Sequence, residues 1–136
     1  MTIPNWGPVR NCMKTEVTFV DGKTDVLSAL KTMKKVGATS LIVERRSEKD
    51  EFGMLLFSDI AKHVLAKDRA PERVDVYEIM SKPVITVRPD MEIRYCARLF
   101  ENFGITHAPV IENDQVVGMV SYYSLILYGL LPQLED

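Results

Sequence analysis

Val26-Leu27-Ser28-Ala29-Leu30-Lys31-Thr32-Met33-Lys34-Lys35-Val36-Gly37 decides the fold, because the chain writes it a second time. A shift of 67 residues brings Ile93-Arg94-Tyr95-Cys96-Ala97-Arg98-Leu99-Phe100-Glu101-Asn102-Phe103-Gly104 onto it. The apolar positions Val26, Leu30, Met33 and Val36 land on Ile93, Ala97, Phe100 and Phe103. Both sets run i, i+4, i+7, i+10, which is one face of an α-helix. A glycine follows each, where a left-handed C-cap belongs. Outward from the helices the agreement continues: Met13 falls on Met80, Val17 on Val84, Val20 on Val87, Thr39 on Thr106 and Val43 on Val110. A two-residue slip in a charged loop then brings Gly53 onto Gly118 and Ile60 onto Leu125. The chain is two tandem copies of one unit.

Each copy reads as β-α-β-β-α. β-branched strands at 17–20 and 84–87 come first, followed by amphipathic helices over about 23–36 and 90–103, with Asp90 as an N-cap. Strand pairs follow at 40–44 with 52–57 and at 108–111 with 116–121, and a last helix starts near Ser58 and near Tyr123. The charged loop 45–51 is expected to be solvated and without function. Residues 67–74, with Arg69, Pro71 and Arg73, read as a linker between repeats at 9–66 and 75–131. The expected fold class is α/β (α+β): two β-α-β-β-α repeats packed with pseudo-two-fold symmetry through their sheets.

Composition narrows the function. At 136 residues, 46% hydrophobic and 26% charged, the chain is an ordinary globular protein. Seventeen basic and nineteen acidic residues give a net charge of −2, which gives no reason to expect nucleic acid or an anionic membrane as partner. A nucleic-acid alternative would rest on Arg45-Arg46 with Arg69 and Arg73 alone. No apolar run approaches the roughly 20 residues of a membrane-spanning helix. Met1-Thr2-Ile3-Pro4-Asn5 lacks the layout of a signal peptide, so a cytoplasmic location is expected. Cys12 and Cys96 fit no metal-ligand spacing and read as half-buried thiols in a reducing compartment. The sequence holds no G-x-S-x-G, H-E-x-x-H, P-loop or G-x-G-x-x-G, and His63 and His107 fall at unrelated places in the repeats. We expect no catalysis and no metal.

With these residues in view, the sequence resembles the tandem CBS-domain (Bateman module) proteins. The match is carried by Gly37-Ala38-Thr39-Ser40-Leu41-Ile42-Val43 and Gly53-Met54-Leu55-Leu56-Phe57-Ser58-Asp59-Ile60. In the second copy it is carried by Ile79-Met80-Ser81-Lys82-Pro83-Val84, by Gly104-Ile105-Thr106-His107-Ala108-Pro109-Val110 and by Gly118-Met119-Val120-Ser121. The resemblance implies regulatory binding of an adenosine-containing ligand (AMP, ADP, ATP, NAD or S-adenosylmethionine) in clefts between the repeats. It implies no required cofactor, and it implies association of two modules into a homodimer or docking to a regulated partner.

It also implies site residues. In the family a Gly-hydrophobic-x-Ser/Thr-x-x-Asp motif marks each cleft: the acid takes the ribose hydroxyls and the hydroxyl residue helps hold phosphate. The first copy keeps Asp59, beside Ser58 at the helix start, but has Leu56 at the hydroxyl position. The second has Ser121 there, with Ser124 in place of the acid, and His107 where relatives carry a basic phosphate contact. The adenine would lie against Val17, Ala38 and Thr39 in one cleft and Val84, Ile105 and Thr106 in the other, the latter shaped by Pro83 and Pro109. Each position has a plainer alternative. Asp59 would serve as an N-cap for a helix from Ile60, His107 as an ordinary surface or half-buried histidine, and the apolar residues as core. The segment 125–131 with Tyr122, Tyr123 and Tyr128 reads either as a dimer contact or as internal packing.

Overall fold

A computed structural model of the chain describes residues 5–135. Met1 to Pro4, read above for a leader, and Asp136 lie outside them. The chain divides into two compact units: the first is Thr18–Val84, and the second joins the residues up to Val17 with those from Ile85 onward.

In the first unit, β1 (Phe19–Val20) is followed by α1 (Val26–Val36), then by β2 (Ser40–Val43) and β3 (Gly53–Leu56). The sheet order is β1-β2-β3, with β1 parallel and β3 antiparallel to β2. α1 begins at Val26 rather than near Lys23 because Asp25 is extended and its carboxylate accepts the Ser28 N–H (3.0 Å) and Oγ (2.7 Å). It ends where Gly37 turns left-handed, at φ +70°. The helix lays Val26, Ala29 and Met33 on Leu41, Val43 and Leu55 to make the core. α2 (Phe57–Ile60) leaves β3 and widens into a π-helical stretch, Ala61–Leu65.

The second unit repeats this plan with α4 (Ile93–Phe103), after α3 (Val76–Ile79) of the first unit, and with β4 (His107–Glu112) and β5 (Gln115–Ser121). The chain ends in α5 (Tyr122–Ser124), a π-helical stretch Leu125–Leu130, and α6 (Leu131–Leu134). Its core gathers Val9, Cys12, Cys96, Phe100, Ala108, Val110, Val120 and Leu125. The two thiols are thus fully buried, not half-buried. Burial pushes Cys12 up to about 11 and Cys96 up to about 12. Gly104 closes α4 at φ +64°, but Asp90 does not open it: Glu92 holds the N-cap position and Asp90 pairs with Arg88 (3.3 Å).

The strand expected at 84–87 shrinks to a single parallel bridge, Val87 to Val110. Val87 donates to the Pro109 carbonyl (3.0 Å) and accepts from the Ile111 N–H (2.9 Å). In the first unit the ladder continues one step further, since Ile42 donates to Thr18 (3.0 Å). The residue equivalent to Ile42 is Pro109, which has no N–H to donate, so the pairing stops there.

The leading segments are exchanged between the repeats. Ser81 pairs both ways with Met54 (2.9 and 3.0 Å), placing Met80 over Gly53 in the first unit. Lys14 pairs both ways with Met119 (2.8 and 2.9 Å), placing Met13 over Gly118 in the second. Met13 therefore serves the sheet of the other sequence copy, and so does Met80. Residues 67–74, expected as a linker, are part of the first unit: Val74 is buried and its carbonyl accepts the Val26 N–H (2.8 Å).

The charged loop also departs from expectation. Asp50 keeps only 14% of its side chain exposed and accepts from Lys82 Nζ (2.8 Å), Arg46 N (3.0 Å) and Arg46 Nε (3.2 Å). The Lys82 ammonium, with Arg46 beside it, holds the Asp50 carboxyl well below the usual carboxylate range. A carboxyl lowered in the folded state stabilises it above its unfolded pKa, near 4, and loses that contribution as the pH falls further. Asp50→Asn is expected to melt below wild type at pH 7, with the difference closing as both are acidified from pH 4 towards pH 2. Thermal unfolding across that range checks it, and a gap as wide at pH 2 as at pH 7 would contradict it.

Candidate functional site

In the first unit, the candidate residues meet at the C-terminal end of β3. Ser40 sits opposite Leu56 in the ladder, so Ala38 and Thr39, leading into β2, lie beside the start of α2. Thr39 and Ser58 are exposed, while Ala38 and Asp59 are half-buried. Asp59 is the third residue of α2, and its Oδ2 accepts the N–H of Leu56 (2.9 Å) across the helix start. The capping role is therefore real but displaced, with Asp59 reaching back from the first turn instead of preceding the helix. Its Oδ1 accepts no hydrogen bond from the described residues, so one lone-pair edge of the carboxylate is left open.

In the second unit, the register sets His107 directly opposite Ser121. Those two share a sheet face with Pro109 and Met119, whereas Ala108, Val110 and Val120 point the other way into the core. Thr106 Oγ1 lies 2.8 Å from His107 Nδ1, and the Thr106 carbonyl accepts the Tyr122 N–H (3.3 Å). Burial lowers the His107 pKa and favours the neutral imidazole, which binds phosphate less strongly than imidazolium would. Ile105 is half-buried and packs against the core, and Pro109 is buried.

Ser121 and Ser124 cap each other. Ser121 Oγ accepts the Ser124 N–H (3.2 Å) and Ser124 Oγ accepts the Ser121 N–H (2.8 Å). The Ser124 hydroxyl also donates to the Ser121 carbonyl (3.0 Å), and the side chain is 4% exposed. Ser124 thus spends its donor and its accessible oxygen on the helix start. Of the two equivalent positions, only Asp59 keeps a polar edge open.

Pro83 and Val84 close the first unit, and Val17 ends the N-terminal segment of the second. Pro83 is exposed and the two valines are half-buried. No group of three or more His, Cys, Asp or Glu among the described residues is placed to hold a metal ion. Of the arginines that would have served a nucleic acid, Arg45 lies 4.5 Å over the Phe52 ring, Arg46 pairs with Asp50, and Arg69 pairs with Glu78 (3.1 Å). No helix among the described residues is long and apolar enough to cross a membrane.

Sequence reasoning passed over Asp50 and Lys82. They are 32 residues apart, and only the pairing of Ser81 with Met54 brings them together.

Two small sheets backed by helices, related by an internal repeat and joined by exchanged leading segments, define a tandem CBS pair. The CBS domain family model matches residues 9–66 and 76–130, and the chain belongs to that family. It is similar to the hexameric CBS-CP12 protein from bloom-forming cyanobacteria, at 35% identity and TM-score 0.85, over 88% of this chain and 70% of that one. The CBS domain pair of protein MJ0100, solved in complex with 5′-methylthioadenosine and S-adenosyl-L-methionine, shares the fold at TM-score 0.75 and 23% identity, over 88% of this chain and 96% of that one. The chain spans about half or less of the first curated relatives it matches, 48% of one and 22% of the next. The latter is a homoserine O-acetyltransferase from Methanosalsum zhilinae, 35% identical over 82% of this chain.

Proposed function

We propose that the chain is a regulatory module, without catalysis of its own, that binds an adenosine-containing ligand and thereby alters its contacts with a second copy or a regulated protein. The observation that carries the reading is Asp59: a carboxylate fixed at a helix start by one oxygen and open at the other. Such a group accepts from the vicinal hydroxyls of a ribose through charge-assisted bonds. Ala38 and Thr39 beside it would face the base. Thr106, His107 and Ser121 of the second unit form a second set that lacks the open acid and should bind more weakly. The CBS domain pair of MJ0100, which shares the fold, was solved with two such compounds, 5′-methylthioadenosine and S-adenosyl-L-methionine. Regulation would follow as a population shift towards whichever arrangement binds the ligand better.

A second reading, a ligand-free docking or dimerisation module, is favoured by one specific observation. Tyr122, Tyr123, Ile126, Leu127, Tyr128, Leu131 and Leu134 are all exposed along the C-terminal helical segment, which carries no charge from Tyr122 to Leu134. Thermal melting against AMP, ADP, ATP, NAD, S-adenosylmethionine and GTP, each at millimolar concentration, separates the two. A ligand that prefers the folded state raises the melting temperature. The sensor reading predicts a rise of several degrees with at least one adenosine compound. No rise with any of them would overturn it in favour of the docking module.

A further inference from the structure

The two long helices hold equivalent places in their units, yet their outward faces carry different charge. α1 turns Ser28, Lys31, Lys34 and Lys35 to solvent, and a shift of 67 residues sets Tyr95, Arg98, Glu101 and Asn102 at the same exposed positions of α4. The fold thus asks for exposure at these positions and not for one sign of charge. On α4, Glu101 stands one turn from Arg98, whose guanidinium lies 5.4 Å over the Tyr95 ring. α1 has no acid between Val26 and Val36, and Asp25 before it is engaged by Ser28. Lys31 meets Lys34 at i+3 and Lys35 at i+4, two like-charge pairs that work against the helix. None of the three lysines forms a hydrogen bond or ion pair among the described residues. Lys34 and Lys35 lie in the last turn, where cations suit the helix dipole, but Lys31 lies a turn earlier. A face that breaks a local rule with no compensating contact inside the chain points to a contact outside it.

We propose that the outward face of α1 is a docking surface for an acidic segment of a partner protein, whose carboxylates pair with Lys31, Lys34 and Lys35. Lys31 to Lys35 spans about 6 Å along the helix axis, which is the spacing of carboxylates one turn apart on an acidic helix. A long polyanion fits less well. Nucleic acid or an anionic membrane would meet the whole chain, whose net charge is −2, whereas a short segment meets only the patch. Neither Asp59 nor any residue of the second unit takes part, so the surface stands whether or not the chain binds a nucleotide.

The test uses the full chain as wild type, as the triple variant Lys31→Gln/Lys34→Gln/Lys35→Gln, and as Arg98→Gln on the twin helix. Binding of a fluorescein-labelled glutamate-rich peptide is read by anisotropy, with the unlabelled peptide, its glutamine counterpart, duplex DNA and phosphatidylserine vesicles as competitors. We expect the wild type to bind the glutamate peptide, and to bind it more weakly as salt rises. The triple variant should bind it about tenfold more weakly, the scale of three exposed charge pairs, and Arg98→Gln should match wild type. Glutamine forms helix about as well as lysine, so the triple variant should melt at or slightly above wild type once the repulsion is gone. A triple variant that melts several degrees lower would assign the lysines to the helix itself and overturn the docking role. So would equal affinity of the triple variant and the wild type for the glutamate peptide, or no binding by the wild type. Displacement of the peptide more readily by DNA or vesicles than by its unlabelled form would overturn the choice of a protein partner.

Discussion

Replacing Gly118 by valine is expected to destabilise the protein by about 3 kcal/mol. For a chain of this size that corresponds to a melting temperature lower by roughly 10 °C. The reason lies in the exchanged segment. A Cβ at Gly118 would stand 2.8 Å from Met13 Sδ and 3.0 Å from the Lys14 carbonyl oxygen. The methionine can swing away. The carbonyl cannot, because it accepts the Met119 N–H at 2.8 Å and the Lys14 N–H donates back to Met119. Relief requires the segment around Met13 to leave β5, which uncovers Val9 and Cys12 of the core. Gly53→Val is the matched comparison. There the closest atom is the flexible Met80 Sδ at 2.7 Å, while the backbone oxygen of Ser81 is 3.3 Å away. Its cost should be smaller, about 1 to 2 kcal/mol. Circular dichroism melts of the two variants check the order, and a Gly118→Val protein that melts within a degree of wild type would contradict it.

The helices and cores were legible because a repeated 3.6-residue period needs no tertiary information. Met33 and Phe100 occupy the same place in it, and both are fully buried. The glycine caps were legible for a similar local reason, since positive φ is cheap only for glycine. The exchange of Met13 and Met80 was not. Translation along the repeat says which positions are equivalent, but nothing in it says whose sheet a leading segment will join. The missing strand at 84–87 was readable in principle, through a proline where its twin carries isoleucine. Asp90 was a misleading guide, because the backbone turns into the helix two residues later, at Glu92, whose side chain makes no capping hydrogen bond.

The site was legible by position and less so by role. The motif located Asp59 and Ser124 at one equivalent place. What it could not show is that both side chains turn back onto the helix start, one with an oxygen to spare and one buried and fully engaged. His107 was found by its neighbours in sequence, yet its partner Ser121 and its burial come from strand register.

Asp59 carries the central claim, and the second large effect is expected there. Asparagine at this position can still accept the Leu56 N–H through its amide oxygen, so the helix start survives. It cannot offer a charged acceptor to a pair of ribose hydroxyls, and hydrogen bonds to a charged group are roughly twice as strong as neutral ones. The loss should be about 1.4 kcal/mol or more, which is tenfold or more in Kd. Calorimetric titration of the adenosine compound that most stabilises the wild type, into wild type and into Asp59→Asn with its melting temperature measured alongside, is the most direct measurement. The account predicts a Kd at least tenfold higher for the variant, with ligand-free melting changed by no more than a few degrees. Equal affinity of the two proteins for that compound would contradict it.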